Sequence, residues 1–189
     1  MTVRMEVDAG IAALTLDHPP LNVLTRAILR ELRETAMRLR DDVGVRAVVL
    51  AAAGKHFSAG ADVGEHLPPT YQELIPEMVG TVEAIASLPV PVIAAVRGRC
   101  LGGAFELVQA ADIVVAGEGA SFGQPEIALA VTAPIACALL PRRGAFGAAA
   151  EILFTGDAMT AARAATAGFV QRVVPDDQVD AEARALAAR

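Results

Sequence analysis

The chain has 189 residues, 54% of them hydrophobic and 20% charged, with a formal net charge of −6. That length suits one domain with its own core, and a mildly acidic sequence without a basic cluster lacks the electrostatic footprint of a nucleic-acid-binding protein. No apolar run reaches the roughly 18 residues of a membrane-spanning helix, since Thr132 and Pro134 interrupt the stretch from Ile127 to Leu140.

Val3 to Val7 and Ile11 to Leu16 predict two short strands joined by a hairpin turn at Asp8-Ala9-Gly10. Pro19 to Asn22 predicts a loop. Thr25 is placed to cap a helix running to about Arg40, with Ile28, Leu32, Ala36 and Leu39 as its apolar stripe. Val45 to Leu50 reads as a buried strand, followed by a loop over Gly54 to Gly64. Tyr71 to Ser87 predicts a helix with Pro76 near its start or at a kink. Pro91 to Val96 is the next buried strand, Gly98 to Gly103 a turn, Ala104 to Ala110 a helix and Asp112 to Ala116 a strand. Short helices follow around Ile135 to Leu140, Ala145 to Phe154 and Ala161 to Ala167. Phe169 to Val174 predicts a last strand, and Asp176 or Asp177 the cap of a final helix. This alternation predicts an α/β fold with βαβ units, as one domain over residues 1–189.

The N-terminus, Met1-Thr2-Val3-Arg4-Met5-Glu6, lacks the apolar core of a secretory signal, so a soluble cytoplasmic protein is expected. Cys100 and Cys137 have neither metal-ligand spacing nor a disulfide framework, and His18, His56 and His66 are scattered, so no metal is expected. The high hydrophobic fraction suggests apolar surface buried against other subunits.

Three glycine-rich turns hold the candidate chemistry: His56-Phe57-Ser58-Ala59-Gly60-Ala61-Asp62, Leu101-Gly102-Gly103-Ala104-Phe105-Glu106 and Phe122-Gly123-Gln124-Pro125-Glu126. Glycines let the backbone approach a ligand and present bare amides. A helix opening near Gly102-Gly103 offers unpaired N–H groups, and the Ala59-Gly60-Ala61 turn could supply another from a second side. Two such donors would stabilise a thioester oxygen as it becomes an enolate. Glu106 and Glu126 could share one water and move two protons, titrating as a coupled unit. Each piece has a plainer reading: Gly-Gly as a packing turn, Glu126 as a solvated residue at a helix N-terminus, Asp62 as a turn-former or cap. Cys100 and Cys137 read as small buried core residues, and His56 as structural. His66 reads as an exposed loop residue, Tyr71 as helix packing, Lys55 as solvated, and Arg142 and Arg143 as a solvated or inter-subunit face.

In these residues the chain resembles the crotonase, or enoyl-CoA hydratase/isomerase, superfamily. Matching segments are Pro20-Leu21-Asn22-Val23-Leu24, the three turns above, Ala111-Asp112-Ile113, Thr155-Gly156-Asp157 and Gly168-Phe169-Val170-Gln171-Arg172-Val173-Val174, in order over nearly the whole chain. The resemblance implies a spiral of ββα units assembled as a homotrimer or hexamer. It implies an acyl-CoA substrate, with coenzyme A entering as part of the thioester rather than as a permanently bound cofactor. The carbonyl would be held by the amides of Ala61 and Gly103. The residue matching Glu106 would activate water, and the one matching Glu126 would exchange the proton at the α-carbon. Leu21, Val23, Ala59, Gly60, Asp62 and Val63 match stretches that contact CoA.

Two departures stand out. Where many members carry Pro-Gly-x-Gly-Gly, this chain has Val131-Thr132-Ala133-Pro134-Ile135-Ala136-Cys137, which with His66-Leu67-Pro68-Pro69 is more similar to the branch that hydrates cyclic dienoyl-CoA thioesters. The sequence ends at Ala187-Ala188-Arg189, where relatives usually continue, so the C-terminal trimerisation helices are expected to be absent or incomplete. Three functions stay open: an enoyl-CoA hydratase, another crotonase reaction (isomerase, decarboxylase or hydrolase), and a non-catalytic acyl-CoA-binding subunit.

Overall fold

The structure, a computed structural model, describes residues 2–189. Strands β1 (Val3–Asp8) and β2 (Ile11–Leu16) pair antiparallel with Asp8 opposite Ile11. The tight turn between them needs left-handed backbone, which Ala9 (φ 47°) and Gly10 (φ 80°) adopt. Strands β3 (Ala47–Ala52), β4 (Val92–Val96), β6 (Ile113–Gly117) and β9 (Arg172–Val174) extend the sheet in parallel, giving the order β1-β2-β3-β4-β6-β9.

The continuous apolar sequence of β3, β4 and β6 has a simple cause, because both faces of these strands are covered. Val48, Leu50, Val92, Ala94, Val96, Val114 and Ala116 face the main core. The alternate residues Ala47, Val49, Ile93, Ala95 and Val115 meet Val179 and Ala183 of the terminal helix α7 (Val179–Ala187). Helix α1 (Arg26–Arg40) begins at Thr25, whose Oγ1 accepts from the Ile28 amide at 3.3 Å, and buries its apolar stripe. It packs on α2 (Tyr71–Ala86), where Thr81 Oγ1 donates to the Leu29 carbonyl at 3.0 Å. Pro76 lies within α2.

A second, smaller layer runs through two stretches that the sequence predicts as turns and one short stretch for which it predicts no element. It consists of β5 (Arg99–Leu101), β7 (Ser121–Gly123) and β8 (Met159–Thr160), in the order β5-β7-β8. Isolated parallel bridges Leu24–Ala61 and Ser58–Cys100 continue it on the β5 side. The chain therefore repeats one pattern, a main-sheet strand, a short second-layer segment, then a helix. This runs through β4, β5 and α3 (Gly103–Val108), and through β6, β7 and α4 (Pro134–Arg143), which begins on Pro134. It is the expected ββα construction. Segments two or three residues long carry too little periodicity to be seen in a sequence.

Helices α5 (Phe146–Thr155) and α6 (Ala161–Thr166) complete the described elements. The final helix is not capped by Asp176 or Asp177, which sit in a preceding 3-10 turn. Asp176 instead accepts from the Gly119 amide at 3.0 Å, a tertiary bond that local pattern could not reveal.

Every residue of α3 is buried. Its Phe105 meets Phe122 of β7 at 5.3 Å between ring centroids and Phe169 edge-on at 5.9 Å. This cluster ties the second layer to the main core. Phe122→Ala is expected to lower unfolding free energy by about 3–5 kcal/mol, read from the urea midpoint and slope.

Candidate active site

The second layer stacks the three glycine turns side by side. The Leu24 amide donates to Gly60 O at 2.9 Å and the Asp62 amide to Leu24 O at 3.1 Å. In a parallel bridge the partner residue between those two points its own N–H away from the strand it bridges, so Ala61 presents its amide on the side away from Leu24. The Leu101 amide donates to Ser58 O at 3.2 Å, and the Gly102 amide to Gly123 O at 2.8 Å. Gly103 then opens α3, where a helix leaves its first N–H groups without intrahelical acceptors. A Cβ built on Gly103 would lie 3.5 Å from the Ala61 Cβ and 3.1 Å from Met78 Cε, so these two amide-bearing residues are neighbours.

Gly102 has φ 54° and ψ −130°, a conformation suited to glycine. A Cβ there would also stand 2.7 Å from Glu126 Oε1, so the missing side chain makes room for that carboxylate. Glu126 belongs to a 3-10 turn, Pro125–Leu129, directly after β7. The buried Gln124 amide, oriented with nitrogen toward the carboxylate, donates to Glu126 Oε1 at 3.1 Å and Oε2 at 2.9 Å. The opposite orientation would set oxygen against oxygen.

Glu106 projects from α3 and is 5% exposed. Its Oε1 accepts from the Ala136 amide, in the first turn of α4, at 2.8 Å. Burial pushes its carboxyl up to about 7, opposed by the Ala136 amide and reinforced by the charge of Glu126. Burial also raises Glu126, against its own backbone amide and the charge of His66.

Ala59, Gly60, Ala61, Val63, Gly103 and both glutamates line one cavity of about 460 Å³. The remaining candidates do not line it. Leu21 and Val23 are half-buried in the loop leading to Leu24, with Leu21 O accepting from the Ala59 amide at 2.9 Å. Asp62 Oδ1 accepts from the Glu65 amide at 3.0 Å, the turn-forming role of the plainer reading.

Several other readings change in three dimensions. His66 and Tyr71 line the cavity instead of serving as a loop residue and helix packing. Cys137 is exposed rather than in the core, whereas Cys100 is buried as expected. Arg143 donates to the Ala111 and Asp112 carbonyls, so it ties two segments together rather than facing solvent freely. His56 is structural, its Nδ1 accepting from the Arg99 amide at 3.2 Å, and Lys55 is exposed.

Two working residues escape a reading of the sequence. Gln124 could be flagged there only as a polar residue beside Pro125-Glu126. Asn22 (φ 50°) clasps three segments: Nδ2 donates to Ala53 O at 2.9 Å and His56 O at 3.0 Å, while Oδ1 accepts from the His18 amide at 2.8 Å. Among the described residues no cluster of three or more His, Cys, Asp or Glu is placed to hold a metal, and no helix is long and apolar enough to cross a membrane.

Comparison with known proteins adds a separate line of evidence. Residues 6–189 match the model of the enoyl-CoA hydratase/isomerase family. The chain is 34% identical over 181 residues to a cyclohexa-1,5-dienecarbonyl-CoA hydratase of Thauera aromatica, covering 96% of this chain and 70% of that one. It is 36% identical to a probable enoyl-CoA hydratase of Mycobacterium bovis, covering 98% and 74% of the two chains. The crystal structure of an enoyl-CoA hydratase from Mycobacterium smegmatis superposes with a TM-score of 0.93 at 35% identity, covering 100% and 76%.

The raised Glu106 carboxyl has a stability consequence. Its folded value, about 7, lies above the ordinary 4.5, so the neutral form is favoured by folding and stability is lost as pH rises through that window. Glu106→Gln keeps an oxygen for the Ala136 amide but cannot ionise. It should therefore gain on the parent between about pH 4.5 and pH 8, by on the order of 3 kcal/mol, in paired urea titrations.

Proposed function

This chain belongs to the enoyl-CoA hydratase/isomerase family, and on that premise we propose that it is a hydro-lyase adding water across the α,β double bond of an acyl-CoA thioester. The observation that carries the reading is the meeting of two carboxylates and two neighbouring amide-bearing residues in one cavity. In this reading the Ala61 and Gly103 amides bind the thioester oxygen, where negative charge grows as water attacks the β-carbon. Such donors are worth about 10²–10³ in rate each.

In the reacting form Glu106 is ionised and takes the proton of the attacking water, while Glu126 carries the proton it delivers to the α-carbon. The thioester then regains its carbonyl, and the two carboxyls re-equilibrate their protons through solvent. A carboxyl near 7 suits this exchange, since proton transfer is most effective when the group's pKa lies close to the working pH. The Gln124 amide keeps Glu126 aimed, and the Ala136 amide does the same for Glu106.

Coenzyme A is part of the substrate in this scheme, and Ala59, Gly60, Val63, Leu21, Val23 and Asp62 form the side from which it approaches. The chain acts as one domain. A cyclic dienoyl group is one acyl moiety the site would take, supported by the likeness to the Thauera hydratase and by a cavity roomy enough for a six-membered ring. A homotrimer, or its hexamer, is supported by an apolar groove of about 310 Å³ edged by Phe146 and Phe154, 73% and 78% exposed. Light scattering should then return three or six times the 19.5 kDa chain mass.

The deciding experiment follows the conjugated thioester absorbance with crotonyl-CoA and cyclohexa-1,5-dienecarbonyl-CoA. Absorbance should fall with at least one of them, and Glu106→Gln and Glu126→Gln should each reduce that rate by about 10²–10⁴. Full activity after loss of one glutamate would replace hydration by a one-base reaction such as isomerisation. Binding without turnover by the parent would leave an acyl-CoA-binding subunit.

A further inference from the structure

Much of the cavity lining is apolar, with Leu67, Leu74, Ile75, Met78, Leu129 and Ile135 contributing to it. His66 belongs to the same lining and has no part in the hydration chemistry proposed above. Its Nδ1 lies 2.8 Å from the Asp62 carbonyl oxygen. A carbonyl can only accept, so Nδ1 carries the hydrogen and Nε2 is the free nitrogen, an acceptor in the neutral ring. Nε2 has no hydrogen-bond partner among the described residues and is not among the buried unpaired atoms, so it faces open space.

The ring is held in place before any ligand arrives. His66 ends a 3-10 turn, Gly64–His66. The turn's Glu65 amide donates to Asp62 Oδ1 at 3.0 Å, and Glu65 Oε2 accepts from the Arg26 amide at 2.7 Å. Little side-chain freedom remains to be lost on binding.

We propose that His66 is a specificity-determining residue, its Nε2 accepting a hydrogen bond from a hydroxyl group carried by the acyl chain beyond the reacting double bond. This rests on the acyl-CoA reading above. The physical ground is two-sided. A hydroxyl gains a partner in apolar surroundings, whereas a plain hydrocarbon chain strips water from Nε2 and offers nothing in return. An oxo group, which lacks a hydrogen to donate, does not replace the hydroxyl.

The test compares hex-2-enoyl-CoA with its 5-hydroxy, 6-hydroxy and 5-oxo derivatives, together with Kd values for hexanoyl-CoA and 6-hydroxyhexanoyl-CoA from calorimetry. The parent should favour the better hydroxylated thioester over the plain one by about tenfold in kcat/KM. His66→Leu should bring that ratio to about one, and His66→Gln, which retains an accepting oxygen, should restore part of it. A ratio near one in the parent, a preference kept by His66→Leu, or equal preference for the oxo compound would overturn the proposal. If no thioester is hydrated, the hydration reading fails while the ratio of Kd values still decides the role of His66. Failure of both CoA thioesters to bind would overturn the two together.

Discussion

The whole site hangs on parallel backbone pairing in the small second layer. Gly60 and Asp62 bond to Leu24, Ser58 bonds to Leu101, and Gly102 bonds to Gly123, none longer than 3.2 Å. Residues from positions far apart in the chain thereby share one ladder. The amides at Ala61 and Gly103 are aimed by it, and Glu126 follows directly from its β7 strand. Because these are main-chain bonds, the arrangement depends less on side-chain identity than on which positions can be glycine. Gly102 is the sharpest case, needing both its φ of 54° and the space that Glu126 occupies.

Burying carboxyl groups is costly unless they are hydrogen-bonded or neutral. Both escapes appear here. The Ala136 and Gln124 amides each donate to one glutamate, and burial keeps the Glu106 proton to about pH 7. The same desolvation that weakens the fold at high pH gives the group a proton affinity matched to neutral conditions. Stability and proton affinity are thus coupled at Glu106 through one physical cause.

The larger sheet is legible in the sequence because its strands are long and apolar on both faces, and α1 because its stripe and its Thr25 cap agree. The order of the three turns also points to one site, and glycines such as Gly60 and Gly102 sit where neighbouring segments approach too closely for a side chain. β5, β7 and β8 are not legible, because two or three residues cannot display a period, and β5 and β7 pass for turns. The single-residue judgements on His66, Tyr71, Cys137 and Arg143 depend on neighbours from distant segments, which no local pattern contains.

The α/β class, the main strands and helices, and the membership of Glu106, Glu126, Ala61 and Gly103 in glycine-rich turns are written in the residues, since these rest on periodicity, propensity and residue type within short windows. That the turns stack, that Ala136 and Gln124 supply the carboxylates' partners, and that His66 lines the cavity emerge from the packing of the fold. Those outcomes arise from contacts that local pattern does not encode. Their geometry is set by how the two layers pack, not by any neighbour along the chain.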